Sequence, residues 1–333
     1  MNNEHDGSSA ATSQASRASA QGEVLADYRY RDNVPARGLL IDGRPALTGI
    51  DPQLVGDYVM LFVRDPLCAY EEDPATRLAR RLDSPQSIGR GGMFTSWSGR
   101  YKDARITAIS GGSGSPEAEL CMYELLEHTE ASTYLRVGGS GALSAHVHPG
   151  DVVIATGIVR ADGLTSAYVE PGWPAVCSPD LVLALTQAAV QLNVRHHIGL
   201  TRSSASDLCG AGRPSVGGYM RPEQAQLVDE CRRSGVLNGE REAAAIVTMA
   251  TLFGRRAGAC CSVADNIVTG ERFVAGAGHT DAVDIALEGV AILAQMDRIR
   301  GHHACSTWLP SMSIDEATPG PADATRPHRG SKL

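Results

Sequence analysis

The chain has 333 residues, 43% of them hydrophobic and 20% charged, with a formal net charge of −8. That length supports one large core or two modest domains, and the negative balance points away from nucleic acid and anionic membranes as partners. No run approaches the ~20 apolar residues of a membrane helix, and the first residues lack the apolar stretch of a secretory leader.

Residues 1–22 are polar and small and cannot bury enough apolar area to offset ordering, so a disordered arm is expected there. Residues 23–300 read as one continuous domain without a linker-like break, and 301–333 as a flexible tail. Within the domain, "DYVMLFV" (57–63) predicts a strand, followed by a polar helical segment near 73–82. "ARITAIS" (104–110) predicts a strand and "SPEAELCMYELLEHT" (115–129) a helix, with Ser115 as its cap and proline in its first turn. "STYLRV" and "GDVVIATGIVR" predict strands, and "SPDLVLALTQAAVQL" (178–192) a second Ser-Pro helix. Then come a strand at "HHIGLTRSS", helices at "RPEQAQLVDECRRSG" and "EREAAAIVTMATLFG", a strand at "AGACCSVAD" and a long final helix at "TDAVDIALEGVAILAQMDRI". Strands alternating with helices predict an α/β layered fold, whose binding edge lies at the strand C-terminal ends.

Eight cysteines without a C-x-x-C spacing read as reduced, buried thiols, neither a disulfide frame nor a zinc site. Neighbouring residues on a strand face opposite ways, so His196-His197 is not expected to bind metal. The positive charge is nearly all arginine, only Lys102 and Lys332 being lysine.

Three stretches carry chemistry. "SGGSGSPEAEL" (110–120) is a strand, a glycine-rich turn and a helix start, a place where bare amides suit an anion or where the turn simply needs positive φ. "LRVGGSGAL" places Arg136 in an apolar run just before Gly138, Gly139, Ser140 and Gly141. A guanidinium is costly to bury without an anion, so this stretch predicts either an oxyanion cradle on a bare loop or an arginine paired with a structural carboxylate. "LNGEREAA" sets Glu240 and Glu242 around Arg241, either to satisfy a helix dipole or to accept vicinal sugar hydroxyls.

Taken in order, these stretches resemble the nucleoside phosphorylase family, in its uridine phosphorylase branch, over roughly residues 46–298. "LRVGGSGAL" is similar to the family's arginine–x–Gly–Thr–Thr–Gly phosphate segment, "CGAGRP" (209–214) to its Gly-Gln-x-Arg base loop, and "NGEREAA" to its Asn-x-Glu-Met-Glu-Ser ribose segment. The resemblance implies an α/β three-layer fold with a central mixed sheet flanked by helices, and phosphorolysis of uridine to uracil and ribose 1-phosphate. Inorganic phosphate would be the co-substrate, with no further cofactor and no metal. It places phosphate at Arg136, Gly139 and Ser140, ribose at Arg241 and Glu242, and base at Ala211 and Arg213. Arg213 would stabilise the departing pyrimidine. It also implies active sites near a dimer interface, in a homodimer or a mixed dimer with a homologue.

The departures from the pattern are concentrated in the site. The family's first phosphate loop, Gly-Asp-Pro-x-Arg, is "RDPLC" here: Arg64 replaces the glycine and Cys68 the arginine. "GRGGMFTSW" puts Gly92 where a partner-subunit arginine is usual, with Arg90 two residues earlier. Gly139 replaces a threonine, Ala211 the uracil-binding glutamine and Arg241 the ribose-side methionine, while Asp265 sits where purine phosphorylases carry a base-protonating aspartate. Arg64, Arg90 and Arg241 are the candidates to resupply charge. Two alternatives therefore stand: a weakened paralogue that partners an active phosphorylase, and a nucleosidase or purine-preferring phosphorylase using Asp265. The final Ser331-Lys332-Leu333 matches the address read by the peroxisomal import receptor, so a peroxisome-type organelle such as a glycosome is the expected location.

Overall fold

Along the strand Tyr58–Val63 every side chain is buried, yet successive residues go to different places. Tyr58, Met60 and Phe62 join one apolar cluster and Val59 and Leu61 another. That is the mark of a strand covered on both faces. The computed structural model describes residues 26–33, 37–65, 68–69, 71–91, 93–303, 305 and 307–312, apart from the Arg90 side chain. The expected N-terminal arm, Gly92 and the Ser331-Lys332-Leu333 tripeptide lie outside the described residues.

Among these residues a short β1–β2 ladder, Leu40–Ile41 with Arg44–Pro45, precedes a ten-stranded mixed sheet. The sheet comprises β3 Tyr58–Val63, β4 Asp83–Gly91, β5 Phe94–Tyr101, β6 Ala104–Gly111, β7 Thr133–Ala142, β8 Val152–Ala161, β9 Ala175–Val176, β10 His196–Ser204, β11 Val236–Glu240 and β12 Arg256–Asn266. The strands run in the order β11-β10-β8-β12-β7-β3-β6-β5-β4, with β9 on β8. β11 also pairs with β7, antiparallel, through Asn238 with Ala142 and Gly239 with Gly141, so β7, β12, β8, β10 and β11 close on one another. Helices α1 Pro74–Ala79, α3 Pro179–Gln191 and α6 His279–His302 cover one face, sharing a cluster that includes Ala75, Leu78, Leu181, Leu185, Ile285 and Leu293. Helices α2 Ser115–His128 and α5 Ala243–Leu252 cover the other, through Met122, Leu125, Ile246 and Val247. The three-layer α/β arrangement is as expected. Each fully buried Ile, Leu or Met contributes roughly 1.5–3 kcal/mol, which makes these two interfaces the main source of stability.

Four details differ from the sequence reading. The glycine-rich stretch after Arg136 is not a loop: β7 continues to Ala142, and Gly138, Gly139 and Ser140 lie in register with Cys261, Ser262 and Val263 of β12. A second ladder with β11 holds the stretch extended, which local sequence does not reveal. Val236–Glu240 is a strand, not a lead-in to a helix. Asp83–Gly91 and Phe94–Tyr101 pair as an antiparallel ribbon that the sequence reading had missed. Ser115 is the first residue of its helix, not its cap; Gly114 holds the cap position at φ 97°, and the Ser115 hydroxyl donates to the Arg241 carbonyl at 2.9 Å.

Candidate active site

The C-terminal ends of β3, β6, β7 and β12, which run parallel, open into a cleft of about 380 Å³, joined by the ends of β10 and β11. This is the binding edge that strand polarity predicts. Arg136, Gly139, Ser140, Ala211, Arg213, Arg241, Glu242 and Asp265 all line it, although they come from four separate stretches of chain.

Arg136 is carried by β7, on the face of the sheet toward α2 and α5. Its guanidinium lies back over Gly138, where a Cβ would sit 1.9 Å from Nη1, so glycine is required at 138 for this pose. Nη2 and Nε reach Glu242 Oε2 at 2.8 and 3.0 Å, Nε lies 3.6 Å from Glu240 Oε2, and Nη1 donates to the Val137 carbonyl. The side chain is only 4% exposed. Burial works against its charge, but Glu242 foremost among its neighbours offsets that and holds the guanidinium above its ordinary pKa. Both readings offered by the sequence thus meet in one place. Arg136 faces the cleft and is paired with a buried acid, and that acid is the residue the resemblance assigns to ribose.

Glu242 is equally committed, since its Oε1 accepts from the Gly114 amide at 2.6 Å. Glu240 is a framework residue. Its Oε2 accepts from the Glu242 and Ala243 amides at 2.8 and 2.9 Å, capping α5, and its Oε1 accepts from Ser203. Burial, then the charge of Glu242, raises the Glu240 carboxyl above its usual pKa. Ser140 is tied down as well: its hydroxyl donates to Ser262 O at 2.8 Å and accepts from Asn238 at 2.9 Å. To donate to an anion it would have to release the Ser262 carbonyl.

Beside Gly139 stands Cys68, whose Sγ is 2.9 Å from where a Cβ on residue 139 would be. The two departures from the family pattern are therefore mutually adjusted, because a larger residue at 139 needs the space the thiol occupies. Burial, first among its causes, pushes the Cys68 thiol up to about 11, so it carries no charge at neutral pH. His279, at the start of α6, completes this end of the cleft. Burial, then the charges of Arg136 and Arg77, pushes it down to about 4, leaving the ring neutral.

Elsewhere in the cleft, Arg213 Nη2 meets Asp265 Oδ2 at 2.6 Å. A Cβ at residue 141 would come within 2.5 Å of Asp265 Oδ1, so Gly141 lets this pair approach the strand. Arg241 pairs with Asp207 at 2.7 Å.

Arg64 does not line the cleft, contrary to the sequence expectation. Its Nε binds Asp73, the cap of α1, at 2.9 Å, and its Nη2 donates to Thr95 at 2.5 Å, so it braces the first helix against the β4–β5 ribbon. The Arg90 side chain, the other candidate, is outside the described residues. The sequence reading overlooked Asp207, His279 and Arg202, all of which line the cleft. Arg202 gave the same signal as Arg136, a charge at the end of a strand. Asp207 and His279 gave none. Among the described residues no group of three or more His, Cys, Asp or Glu is arranged to hold a metal.

The family model described as "Phosphorylase superfamily" matches residues 67–294. Uridine phosphorylase of Thermococcus kodakarensis is 37% identical over 236 residues, 71% of this chain and 84% of that protein. Uridine phosphorylase of Haemophilus influenzae is 33% identical over 197 residues, 58% of this chain and 78% of that protein. A guanosine phosphorylase of Halorubrum lacusprofundi is 29% identical over 196 residues, 59% of this chain and 76% of that protein.

Proposed function

The chain belongs to the phosphorylase superfamily, and on that premise we propose that it is a uridine phosphorylase-like enzyme, converting uridine and phosphate to uracil and ribose 1-phosphate. The observation that carries this reading is the convergence on one cleft of Arg136 and Ser140, Arg241 and Glu242, and Ala211, Arg213 and Asp265, together with similarity to uridine phosphorylases. Phosphate would sit toward Arg136, Gly139 and Ser140, the ribose against Glu242, and the base toward Arg213. An attacking phosphate oxygen forms the new bond to the anomeric carbon as the glycosidic bond loosens through an oxocarbenium-like sugar. Glu242 would accept a ribose hydroxyl at Oε1 in exchange for the Gly114 amide, and the anion would compete with its Oε2 for the Arg136 guanidinium. A dimer in which a second chain adds positive charge at this end fits the same scheme.

The test is direct. Purified protein given uridine and phosphate should release uracil; if it releases none where an established phosphorylase does so in the same assay, the reading fails.

A second reading has its own observation. Because Arg136 is already matched by Glu242, phosphate competes for a neutralised cation, and water could take its place. Base release that is undiminished without phosphate would favour this nucleosidase version. Comparing uridine with guanosine in the same assay addresses base preference, for which Asp265 in the cleft and the similarity to a guanosine phosphorylase are the motives.

A further inference from the structure

Four arginines line the cleft, and three are neutralised where they stand: Arg136 by Glu242, Arg213 by Asp265 and Arg241 by Asp207. Arg202 differs. Its Nη1 donates to the Gly210 carbonyl at 2.6 Å, and it forms no ion pair among the described residues.

Its position is defined by the strands. Arg202 is the third-last residue of β10, in register with Gly239 of β11 and Val159 of β8. The next residue, Ser203, bonds Glu240, so the alternation of the strand turns Arg202 to the other side. There the cleft is walled by Leu143, Leu227, Cys231 and Ile267, part of a small apolar cluster. Gly210, its one bonded partner, belongs to the same loop as Ala211 and Arg213. The guanidinium is thus fixed by the base-side loop at the mouth of an apolar lobe, with donors left over.

A cation in that setting is tolerated while the cleft holds water. A ligand that displaces the water must bring acceptors, or the guanidinium is stranded. A base that departs with the bonding electrons does so most strongly in the transition state.

We propose that Arg202, and not the acid-paired Arg213, is the cation that meets the departing base and selects bases able to carry negative charge on carbonyl oxygens. The proposal rests on the nucleoside reading above. The bond between the anomeric carbon and the base nitrogen breaks, its electron pair leaves with the base and spreads to the carbonyl oxygens, and the new carbon–oxygen bond forms to phosphate. Arg202 donates hydrogen bonds to the base anion and keeps its proton; the base takes a proton from solvent after release. Because the stabilisation grows with the charge, it matters most for the poorest leaving group.

The test compares wild type with Arg202→Leu, Arg202→Gln and Arg202→Lys. Each is assayed for kcat/KM on 5-nitrouridine, 5-fluorouridine, uridine and 5-methyluridine, in order of increasingly poor leaving group. Removing one such donor costs on the order of a hundredfold, so Arg202→Leu should lose about that much on uridine and distinctly less on 5-nitrouridine, and Arg202→Lys should recover part of it. The dependence of rate on leaving group steepens. Arg202→Gln keeps a neutral donor and provides the same readout should the leucine variant fold poorly. An equal loss across all four substrates, or no loss, overturns the proposal while leaving the nucleoside reading intact. A wild-type protein that releases base from none of the four overturns that reading and this proposal together.

Discussion

At the end of the cleft proposed for phosphate, Arg136 is 4% exposed and held between Glu242 at 2.8 Å and Glu240 at 3.6 Å. At the end proposed for the base, Arg202 holds one carbonyl and no acid among the described residues. The first cation is stabilised by the protein itself, so a ligand must exchange with a resident partner. The second is left for a ligand to satisfy. Sequence similarity treats both ends as one site, whereas the charge pairing makes them different. A half-buried cation without an acid is left available for chemistry, and a buried one paired with an acid is part of the framework until the acid moves.

The largest break in this comparison should come from Glu242→Ala. Leaving Arg136 without its nearest acid, and the Gly114 amide without its acceptor, should cost about 3–5 kcal/mol in chemical denaturation, the range for one partner of a buried ion pair, and abolish base release. A change below about 1 kcal/mol would mean that Arg136 is satisfied by water and that the two ends are alike.

Acid should weaken the Arg136 end next. The His279 ring titrates near 6.5 in the unfolded chain and near 4 when folded, so the unfolded chain binds more protons between those values. Stability therefore rises with pH across that window. The contribution is fully present above about 6.5 and is lost as pH falls toward 4, by up to about 3 kcal/mol. Denaturation of His279→Asn across the same range should show a shallower dependence.

Gly139→Ala drives a methyl to 2.9 Å from the Cys68 thiol and should cost about 1–3 kcal/mol as overpacking. In the Gly139→Ala, Cys68→Ala double variant the cost should largely vanish, a non-additivity read from melting curves. Additive effects would show that the two residues are not mutually adjusted. The smallest effect belongs to Asp207→Asn. Its carboxylate is exposed and its pair with Arg241 only partly buried, so stability should change by less than about 1 kcal/mol. Any change in activity would then report Arg241 freed to act in the cleft.

Much of the site was legible in the sequence. A charge in a buried strand, a carboxylate at the start of a helix and an arginine in a glycine-bearing loop each conflict with local burial or backbone preference, and each proved to line the cleft. Arg64 had the same appearance and did not, because Asp73 and Thr95 claim it. Arg202 carried the same local signal, a charge at the end of a strand, but what sets it apart is that no acid pairs with it among the described residues, and no local pattern records that.

The order of strands and helices, the two-sided burial of β3 and the grouping of polar residues at strand ends follow from periods of two and 3.6, which are local properties of the chain. The closing of β7 against β11, and the choice of which acid neutralises which arginine, were decided by the tertiary structure alone. Arg136 and Glu242 are 106 residues apart and Arg213 and Asp265 are 52 apart, yet each pair meets within 3 Å. Coulomb attraction and hydrogen bonding act through space over a few ångströms, so sequence distance carries no trace of them.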